Sequence, residues 1–556
     1  MKNAWRSPGV GVALLILLTV AAYLPVMHAG FIWDDGALIT DNPMVKANDG
    51  LYRFWFTTEA PDYYPLTWSL WWAEWRLWGA NARGYHAVNV LLHAINSVLV
   101  WMILRRLKIP GAWLAALVFA VHPVNVATVA WISEQKNTLS MLFYGLTILL
   151  YLKFDEEGRW RWYCLSMVAF VAGLLGKSAV VMLPVVLLGC VWWVHGRVQW
   201  KDLWRNGPFL ILSLVFGWVT IWFQYNRALG GQPVRTERFL SCLAAAGWIP
   251  WFYLYKALLP LDLMVIYPRW QIDGARWISY VPGIILAGGF AFLWWKRNVW
   301  GRPLLFGFGY FVAMLFPVLG FFDQHFYRLS LVADHWQYYS IIAPITLVVI
   351  AGEWIGRRLG GQGRQWGTAL GVAVLIVLGV ATWTRAGVYV DAETLWRDNV
   401  ARNPDAYMAY NNLGILLAQT GRLEEAIELL EQTLHRGPHV FETHYNLGGA
   451  LAAAGRTREA IQQFEQALHL KPDDAEAHNN LANTLLQAGR AAEAVAHYEQ
   501  ALRLKPDLAQ THYNLGVALE QMGRIEAAIG HYEQALRINP DYAEARNSLA
   551  QLRTAH

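Results

Sequence analysis

The sequence predicts an all-α protein in two parts, a polytopic bundle of about eleven transmembrane helices followed by a solenoid of helical repeats. Three observations support this fold class. Of the 556 residues, 56% are hydrophobic and 31 are Trp. Apolar stretches long enough to cross a bilayer recur as far as residue 386, and the chain beyond them is charged and periodic. We place the two domains at residues 1–390 and 391–556.

The predicted spans are apolar runs that can cross a bilayer at about 1.5 Å per residue. One further run, 240–260, contains Pro250 and Lys256, and counting the crossings between basic loops leaves it no place as a span. We expect this run to form a re-entrant or surface-lying element. The spans are residues 10–29, 85–104, 111–131, 137–153, 162–176, 179–195, 207–224, 276–295, 303–322, 336–355 and 366–386.

Basic residues indicate the topology of the chain. The net charge of +5 averages two unlike parts, so it does not indicate a nucleic-acid partner. Clusters such as Lys2 with Arg6, or Arg105 with Arg106, mark cytoplasmic loops and place the carboxyl-terminal domain on the other side. We expect a multi-pass protein of a bacterial inner membrane with periplasmic repeats; an endoplasmic-reticulum membrane has the same geometry.

A long loop, residues 30–84, separates the first two spans. Its Trp-dense segment 67–78 is expected to lie on the membrane surface as an amphipathic helix, because Trp and Tyr favour the interface. The loop begins with Asp34 and Asp35, two carboxylates at the point where a membrane helix meets water. Such groups are solvated, paired or held for chemistry. They are either the polar start of a loop or include a general base that faces a lipid-borne substrate.

A period of 34 residues begins near residue 405. This period, with small residues at fixed places, is typical of tetratricopeptide repeats, in which paired helices pack closely. Prolines from Pro404 to Pro540 keep the same step, residues 391–402 resemble a leading half-unit, and Asp541 begins a closing helix. The repeated positions are Leu413, Leu447, Leu481, Leu515 and Leu549; Gly421, Gly455, Gly489 and Gly523; and Ala426, Ala460, Ala494 and Ala528.

Polar residues at the outer ends of several spans share the predicted side of Asp34. Two interpretations are open for most of them. His122 fills a helix kink or lines a pocket, Lys177 extends to lipid headgroups or meets a phosphate, and the segment 324–339 binds a phosphate and a sugar or forms an interfacial aromatic belt. Glu134 and Lys136 are expected to form a solvated pair. The candidates are His86, Asn89, His122, Glu134, Lys136, Lys177, Arg328, Asp334 and His335.

These features together resemble the transmembrane-and-tetratricopeptide O-mannosyltransferases and their bacterial relatives, which are GT-C integral-membrane glycosyltransferases. The segments 84–89 (GYHAVN), 119–134 (FAVHPVNVATVAWISE) and 332–338 (VADHWQY) look like those of that family. The resemblance covers nearly the whole chain. It implies a GT-C-like membrane domain joined to a tetratricopeptide array.

The resemblance also implies an activity. An inverting glycosyltransferase would move a mannose-like hexose from a polyprenyl-phosphate carrier to a hydroxyl acceptor such as a protein Ser or Thr. Asp34 would be the base, and Asp35 would orient the acceptor or share the proton. Enzymes of this kind need no metal or other cofactor, since the lipid-linked sugar is a substrate. Donor-binding residues would be Lys177, Arg328, Asp334, His335, His86, His122 and Glu134.

One asparagine in each repeat suggests how a protein acceptor would be held. Asn412, Asn446, Asn480 and Asn514 recur every 34 residues, similar to the asparagine ladder of O-GlcNAc transferase, which holds an extended peptide by its backbone. These residues are alternatively plain scaffold asparagines. The alternative for the whole chain is a non-catalytic, membrane-anchored tetratricopeptide scaffold for an envelope assembly. A transporter is disfavoured because the spans lack deep acidic residues and inverted halves.

Overall fold

The computed structural model describes residues 8–229, 239–436 and 440–555. Regular elements in these ranges are helical, and the predicted all-α class is confirmed. The chain divides into two compact units, residues 1–398 and 399–556, and this division falls inside a helix. Lys2, Arg6 and Pro438, used in the sequence predictions, lie outside the described residues.

The first unit is built mainly from apolar helices. Short helices α2 to α4 occupy the loop after the first helix, and α17 runs across the boundary with the second unit. The helices are α1 Pro8–Ala22, α2 Pro43–Lys46, α3 Gly50–Phe56, α4 Pro65–Trp78, α5 Ala82–Arg106, α6 Ala112–Ala120, α7 Val126–Val129, α8 Gln135–Glu157, α9 Trp160–Gly176, α10 Leu183–His195, α11 Trp200–Phe223, α12 Phe239–Leu258, α13 Val281–Trp295, α14 Arg302–Leu315, α15 Ile342–Arg358, α16 Gly360–Val388 and α17 Ala392–Arg402.

Fewer helices than expected meet the length and hydropathy of a membrane span. In the described part of the chain seven do so, or eight if Ala112–Ala120 and Pro123–Val129, bent by 47°, count as one span. The prediction of about eleven was therefore too high by this measure. Apolar runs in the sequence continue past the ends of the helices: the run 10–29 continues to residue 29, whereas α1 has only 15 residues and ends at Ala22. A span needs roughly 20.

The run 240–260 forms one continuous helix. α12 has 20 residues and contains Pro250 without a reversal of the chain, so it lacks the turn that a re-entrant element needs. It is not among the seven helices that meet the criteria for a span. Lys256 lies near its end and donates to the carbonyls of Leu261 (2.6 Å) and Asp262 (3.1 Å). The lysine therefore stabilises the turn after the helix.

The Trp-dense segment is helical, but its inner face packs on protein rather than on lipid. In α4 both Trp68 and Trp71 are only 2% exposed. Thr67 donates to the carbonyl of Gly176 (2.8 Å), and the Trp71 indole donates to Gln135 Oε1 (2.9 Å). These contacts fix the first outer loop to the starts and ends of the neighbouring membrane helices. The loop is a structured part of the unit.

The second unit consists of four helix pairs and a closing helix, as the 34-residue period predicts. Gly421, Gly455, Gly489 and Gly523 have φ between 73° and 81° at the turn inside each pair, a conformation that favours glycine. The repeated leucines and alanines are buried. The helices are α18 Tyr407–Gln419, α19 Leu423–Arg436, α20 Phe441–Ala453, α21 Thr457–Leu470, α22 Ala475–Gln487, α23 Ala491–Leu504, α24 Ala509–Gln521, α25 Ile525–Ile538 and α26 Ala543–Ala555.

Two adjacent glycines of α20 allow a matched test of this packing. A Cβ on Gly448 would lie 2.9 Å from the buried Phe464 ring, whereas a Cβ on Gly449 would meet no atom within 4 Å. We expect Gly448→Ala to lower the free energy of unfolding by about 1–3 kcal/mol, because the ring has no space to move. Gly449→Ala should raise it by about 0.5–1 kcal/mol. Denaturant unfolding of the full chain in detergent measures both, and equal effects would contradict the packing described here.

Candidate active site

Asp34 and Asp35 lie in a tight turn after the first helix. The turn is joined to the end of the membrane unit, since the Gly30 N–H donates to the carbonyl of Val390 (2.9 Å). Trp33, directly before the two acids, has φ of 48°. This left-handed conformation is rare for a bulky residue and persists only where neighbours hold it.

Asp35 ties this turn to the start of α8. Its side chain is fully buried. One carboxylate oxygen accepts from the Ile32 N–H (3.0 Å), and the other accepts from the N–H (2.8 Å) and the hydroxyl of Ser133. Burial, and then the neighbouring Asp34 charge, raise the pKa of Asp35. With both oxygens engaged by the protein, Asp35 is suited to fix the loop rather than to contact a substrate.

Asp34 is placed differently. Its Oδ1 is buried and has no hydrogen-bond partner among the described residues. Burial raises the pKa of Asp34; the Lys136 cation lowers it, Glu134 raises it, and the nearby side chains of Ser133 and Trp131 lower it. A buried carboxylate oxygen without a donor is unusual in a folded protein. An incoming hydroxyl would supply the missing donor, so Asp34 has the position and the proton affinity of a general base.

Glu134 is the centre of a buried charge cluster beside Asp34. Its two oxygens lie 3.1 Å from Lys136 Nζ and 3.2 Å from Lys177 Nζ, and its side chain is 3% exposed. Asn137 donates to it as well (2.5 Å), and His335 Nε2 lies 3.8 Å away. The expectation of a solvated Glu134–Lys136 pair was wrong. The helix α8 begins inside the unit, so the pair is buried under the outer loop rather than exposed on it.

Lys177 points into this cluster. It follows α9, and its Nζ is bound to Glu134 instead of extending outward to the headgroups. The outer loop closes over it, because the Tyr64 hydroxyl lies 3.2 Å from Ser178 Oγ. Burial lowers the pKa of Lys177 to about 8, against Glu134, which raises it. The ammonium is therefore charged at neutral pH.

The segment 324–339 contributes His335 but directs Asp334 elsewhere. His335 faces Glu134 and packs edge-on against Phe326 (5.7 Å). Burial lowers its pKa to about 4, so the imidazole is neutral near pH 7. Asp334 accepts from the Tyr267 hydroxyl (2.7 Å), and burial raises its pKa to about 6. Arg328 belongs to the same turn as Phe326, is partly exposed, and forms no salt bridge with a described residue.

The remaining predicted residues bind backbone carbonyls. His86 Nε2 lies 3.4 Å from the Gly30 carbonyl, at the start of the Asp34 turn. His122 Nε2 lies 3.2 Å from the Ala257 carbonyl and its Nδ1 accepts from the Val124 N–H (3.4 Å), at the bend between α6 and α7. This contact is the one expected if His122 fills a kink between two helices. Asn89 donates to the carbonyl of Val129 (2.9 Å). These groups hold the backbone around the cluster.

Sequence reasoning missed Asp62. Its carboxylate accepts from Gln224 (2.5 Å), and both Lys136 and Lys177 lower its pKa against the raising effect of burial. It is therefore a second acid near the two lysines, provided by the outer loop. Asp62 lies in the outer loop, directly before Tyr63, and its position beside the lysines depends on tertiary packing.

The four repeated asparagines of the second unit are partly buried. Three of them have amide contacts with residues of the preceding repeat: Asn480 donates to the Tyr445 hydroxyl (2.8 Å), Asn446 lies 3.5 Å from Asn411, and Asn514 is bound to a neighbouring asparagine (2.9 Å). These are scaffold contacts. The fourth, Asn412, has the equivalent position in the first pair.

Comparisons with known proteins match both parts of the chain. The profile of the dolichyl-phosphate-mannose-protein mannosyltransferase family matches residues 64–223, which include Glu134, Lys136 and Lys177. A tetratricopeptide profile matches residues 405–473, 440–507 and 473–541. The predicted resemblance is confirmed. The chain is similar to the transmembrane-and-tetratricopeptide protein O-mannosyltransferases.

Three such relatives illustrate the extent of the similarity. Protein O-mannosyl-transferase Tmtc3 of Drosophila melanogaster is 22% identical over 78% of this chain and 56% of its own length. F38B6.6 of Caenorhabditis elegans is 28% identical over 28% of this chain and 25% of its own length. Human TMTC2 is 29% identical over 36% of this chain and 27% of its own length. The chain thus spans less than two thirds of each of these relatives.

Solved structures match the repeats. The MamA protein is 23% identical with a TM-score of 0.25 over 28% of this chain and 84% of its own. YrrB, described as a tetratricopeptide protein with an unusual peptide-binding site, is 22% identical with a TM-score of 0.26. The match covers 31% of this chain and 86% of YrrB.

Substituting each of the two neighbouring acids tests which carboxylate holds the loop in place. In Asp35→Asn an amide NH₂ must face the N–H of Ile32 or Ser133, so a buried hydrogen bond is lost. We expect a fall of about 1–3 kcal/mol in the free energy of unfolding. Asp34→Asn is the matched control, with the same change of charge and no accepted bond lost at Oδ1. Thermal unfolding of the full chain in detergent checks this, and a larger loss for Asp34→Asn would reverse the assignment.

Proposed function

We propose that the chain is an inverting glycosyltransferase that moves a mannose-like hexose from a polyprenyl-phosphate carrier to a protein Ser or Thr hydroxyl. The observation that carries this proposal is the unpaired, buried Oδ1 of Asp34 beside two lysines whose side chains are only 17% and 15% exposed. The family profile over residues 64–223 and the names of the relatives support it.

The reaction needs a base on one side of the anomeric carbon and positive charge on the other. Asp34 accepts the proton of the acceptor hydroxyl, whose oxygen then bonds to the anomeric carbon. The bond from that carbon to the phosphate oxygen breaks, and its electron pair leaves with the polyprenyl phosphate. Attack opposite to the leaving group inverts the anomeric configuration. Asp35 holds the loop in place through Ser133 and Ile32.

Lysines neutralise the leaving phosphate in this proposal. Lys177 and Lys136 supply two charges, and Arg328 and His335 lie on the segment that faces them. Glu134 accepts from both lysines, so it positions them rather than binding the phosphate. Around the cluster, His86 and His122 contact backbone carbonyls, and Asp334 accepts from the Tyr267 hydroxyl. Because lysines supply the countercharge, we propose that the reaction uses no metal or other cofactor.

The repeats are proposed to recruit the protein acceptor. Each of Asn412, Asn446, Asn480 and Asn514 occupies the same place in its helix pair and is partly exposed. A row of amides at one spacing suits the backbone of an extended peptide. We propose that this activity lies on the extracytoplasmic face, which is the periplasm of a bacterial inner membrane; the distribution of basic loops supports this side.

The first prediction concerns the base. Asp34→Asn keeps the shape of the side chain but removes its proton affinity, so mannosyl transfer should fall by at least about a hundred-fold. Transfer from a radiolabelled polyprenyl-phosphate mannose to acceptor protein, measured with purified full-length chain, is the assay. The scaffold alternative predicts that this variant still captures its partners and that wild type shows no transfer. Full transfer by Asp34→Asn would remove Asp34 from the reaction.

A second prediction concerns pH. The base works only when ionised, so kcat/KM falls as the pH drops through its pKa, and burial moves this fall toward neutrality. Lys136 lowers the pKa of Asp34 and Glu134 raises it. We therefore expect the acid limb to move to higher pH in Lys136→Gln and to lower pH in Glu134→Gln. The quantity to compare is the pH at the midpoint of the acid limb of kcat/KM, rather than the maximal value of kcat/KM. Shifts of the same sign in both variants would contradict the arrangement.

A further inference from the structure

The turn that carries Asp34 is held from behind by the segment that follows the last membrane helix. Gly30 donates its N–H to the carbonyl of Val390, and the ring of Trp396 meets the ring of Trp33 edge-on at 5.1 Å and 75°. Trp396 lies in α17 and is 2% exposed. The residue immediately before the proposed base is thus in contact with a helix more than three hundred positions away in the sequence.

Trp33 is the residue that needs such support. Its φ of 48° is left-handed, and a side chain at Cβ disfavours that conformation. Its ring is stacked on Trp131 at 4.9 Å with the planes 8° apart, and Phe326 lies 6.1 Å away. Trp396 adds a third aromatic ring against it. Because the backbone of Trp33 leads directly into Asp34, a change of φ at this residue would redirect the carboxylate.

Trp396 is itself held in a defined place. Arg385, near the end of α16, is 8% exposed and donates to Asp398 Oδ2 (2.6 Å) on α17, with its guanidinium 5.3 Å from the Tyr389 ring. Leu395, next to Trp396, is 1% exposed. An ion pair whose arginine is buried, together with a buried apolar neighbour, therefore fixes the first turns of α17 against the end of the last membrane helix.

We propose that Trp396 is a positioning residue for the transfer reaction: it holds Trp33 in its left-handed conformation and so directs the Asp34 carboxylate. This inference rests on the proposed function, in which Asp34 is the base. It assigns a part of the reacting geometry to the segment between the last membrane helix and the first repeat. Trp396 acts through Trp33 and makes no contact with substrate.

The kinetic test uses the full chain with Trp396→Ala. A misdirected base should lower kcat by about ten- to a hundred-fold while KM for the polyprenyl-phosphate mannose stays within about two-fold. Trp396→Phe keeps an aromatic edge and should recover most of kcat. Trp396→Leu fills the space without that edge and should show the loss even if the alanine variant is unstable. Trp383→Ala, on the exposed face of α16, is the control. A wild-type kcat in the leucine variant would overturn the proposal, as would a loss confined to KM.

A second readout does not depend on activity. In a full chain whose three cysteines are replaced by Ser, Asp34→Cys reports the direction of this side chain through its rate of reaction with a charged methanethiosulfonate. Adding Trp396→Leu should change that rate several-fold, and adding Trp383→Ala should not. If wild type transfers no mannose, the proposed function fails, and this rate still decides the positioning role. An unchanged rate would overturn that role.

Discussion

The site depends on the Asp35 carboxylate, which joins two segments almost a hundred residues apart. Its oxygens accept from Ile32 in the turn after the first helix and from Ser133 before α8. That link brings Asp34 beside the helix that provides Glu134 and Lys136. A carboxylate that accepts several N–H and O–H groups gains charge-assisted hydrogen bonds, which offset part of the cost of burial. The stacking of Trp33 on Trp131 joins the same two segments a second time.

The aromatic residues around Trp33 give the turn its conformation. Trp131, Phe326 and Trp396 come from three distant segments, and each places a ring against Trp33. Aromatic pairs contribute about 0.5–1.5 kcal/mol each beyond the area that they bury. Together they are of the size needed to maintain a left-handed residue, which costs about 1–3 kcal/mol. The reactive turn is therefore a property of the folded unit and not of the loop sequence.

The sequence was informative where a pattern is local. Asp34 and Asp35 follow an apolar run, and the glycine of each repeat is required by a positive φ at its turn. Span number was less well predicted, since apolar runs continue past helix ends. The environment of Glu134 was also not predictable from sequence, because spacing indicates the side of the membrane and not the neighbour in space. Asp62 and Trp396 contact the site through tertiary packing that leaves no periodic signal.

The charge balance of the cluster explains why both an acid and two lysines are buried together. A lone buried ammonium is strongly disfavoured, and Glu134 compensates Lys136 and Lys177 while no phosphate is bound. Asp34 and Asp62 also lie near these lysines, so acids offset the ammonium groups, and in a low-dielectric site the lysines attract a phosphate far more strongly than in water. In the proposed reaction the phosphate gains negative charge as the sugar–phosphate bond breaks, so its attraction to Lys136 and Lys177 increases in the transition state. Under that proposal the two lysines favour the step in which the phosphate leaves.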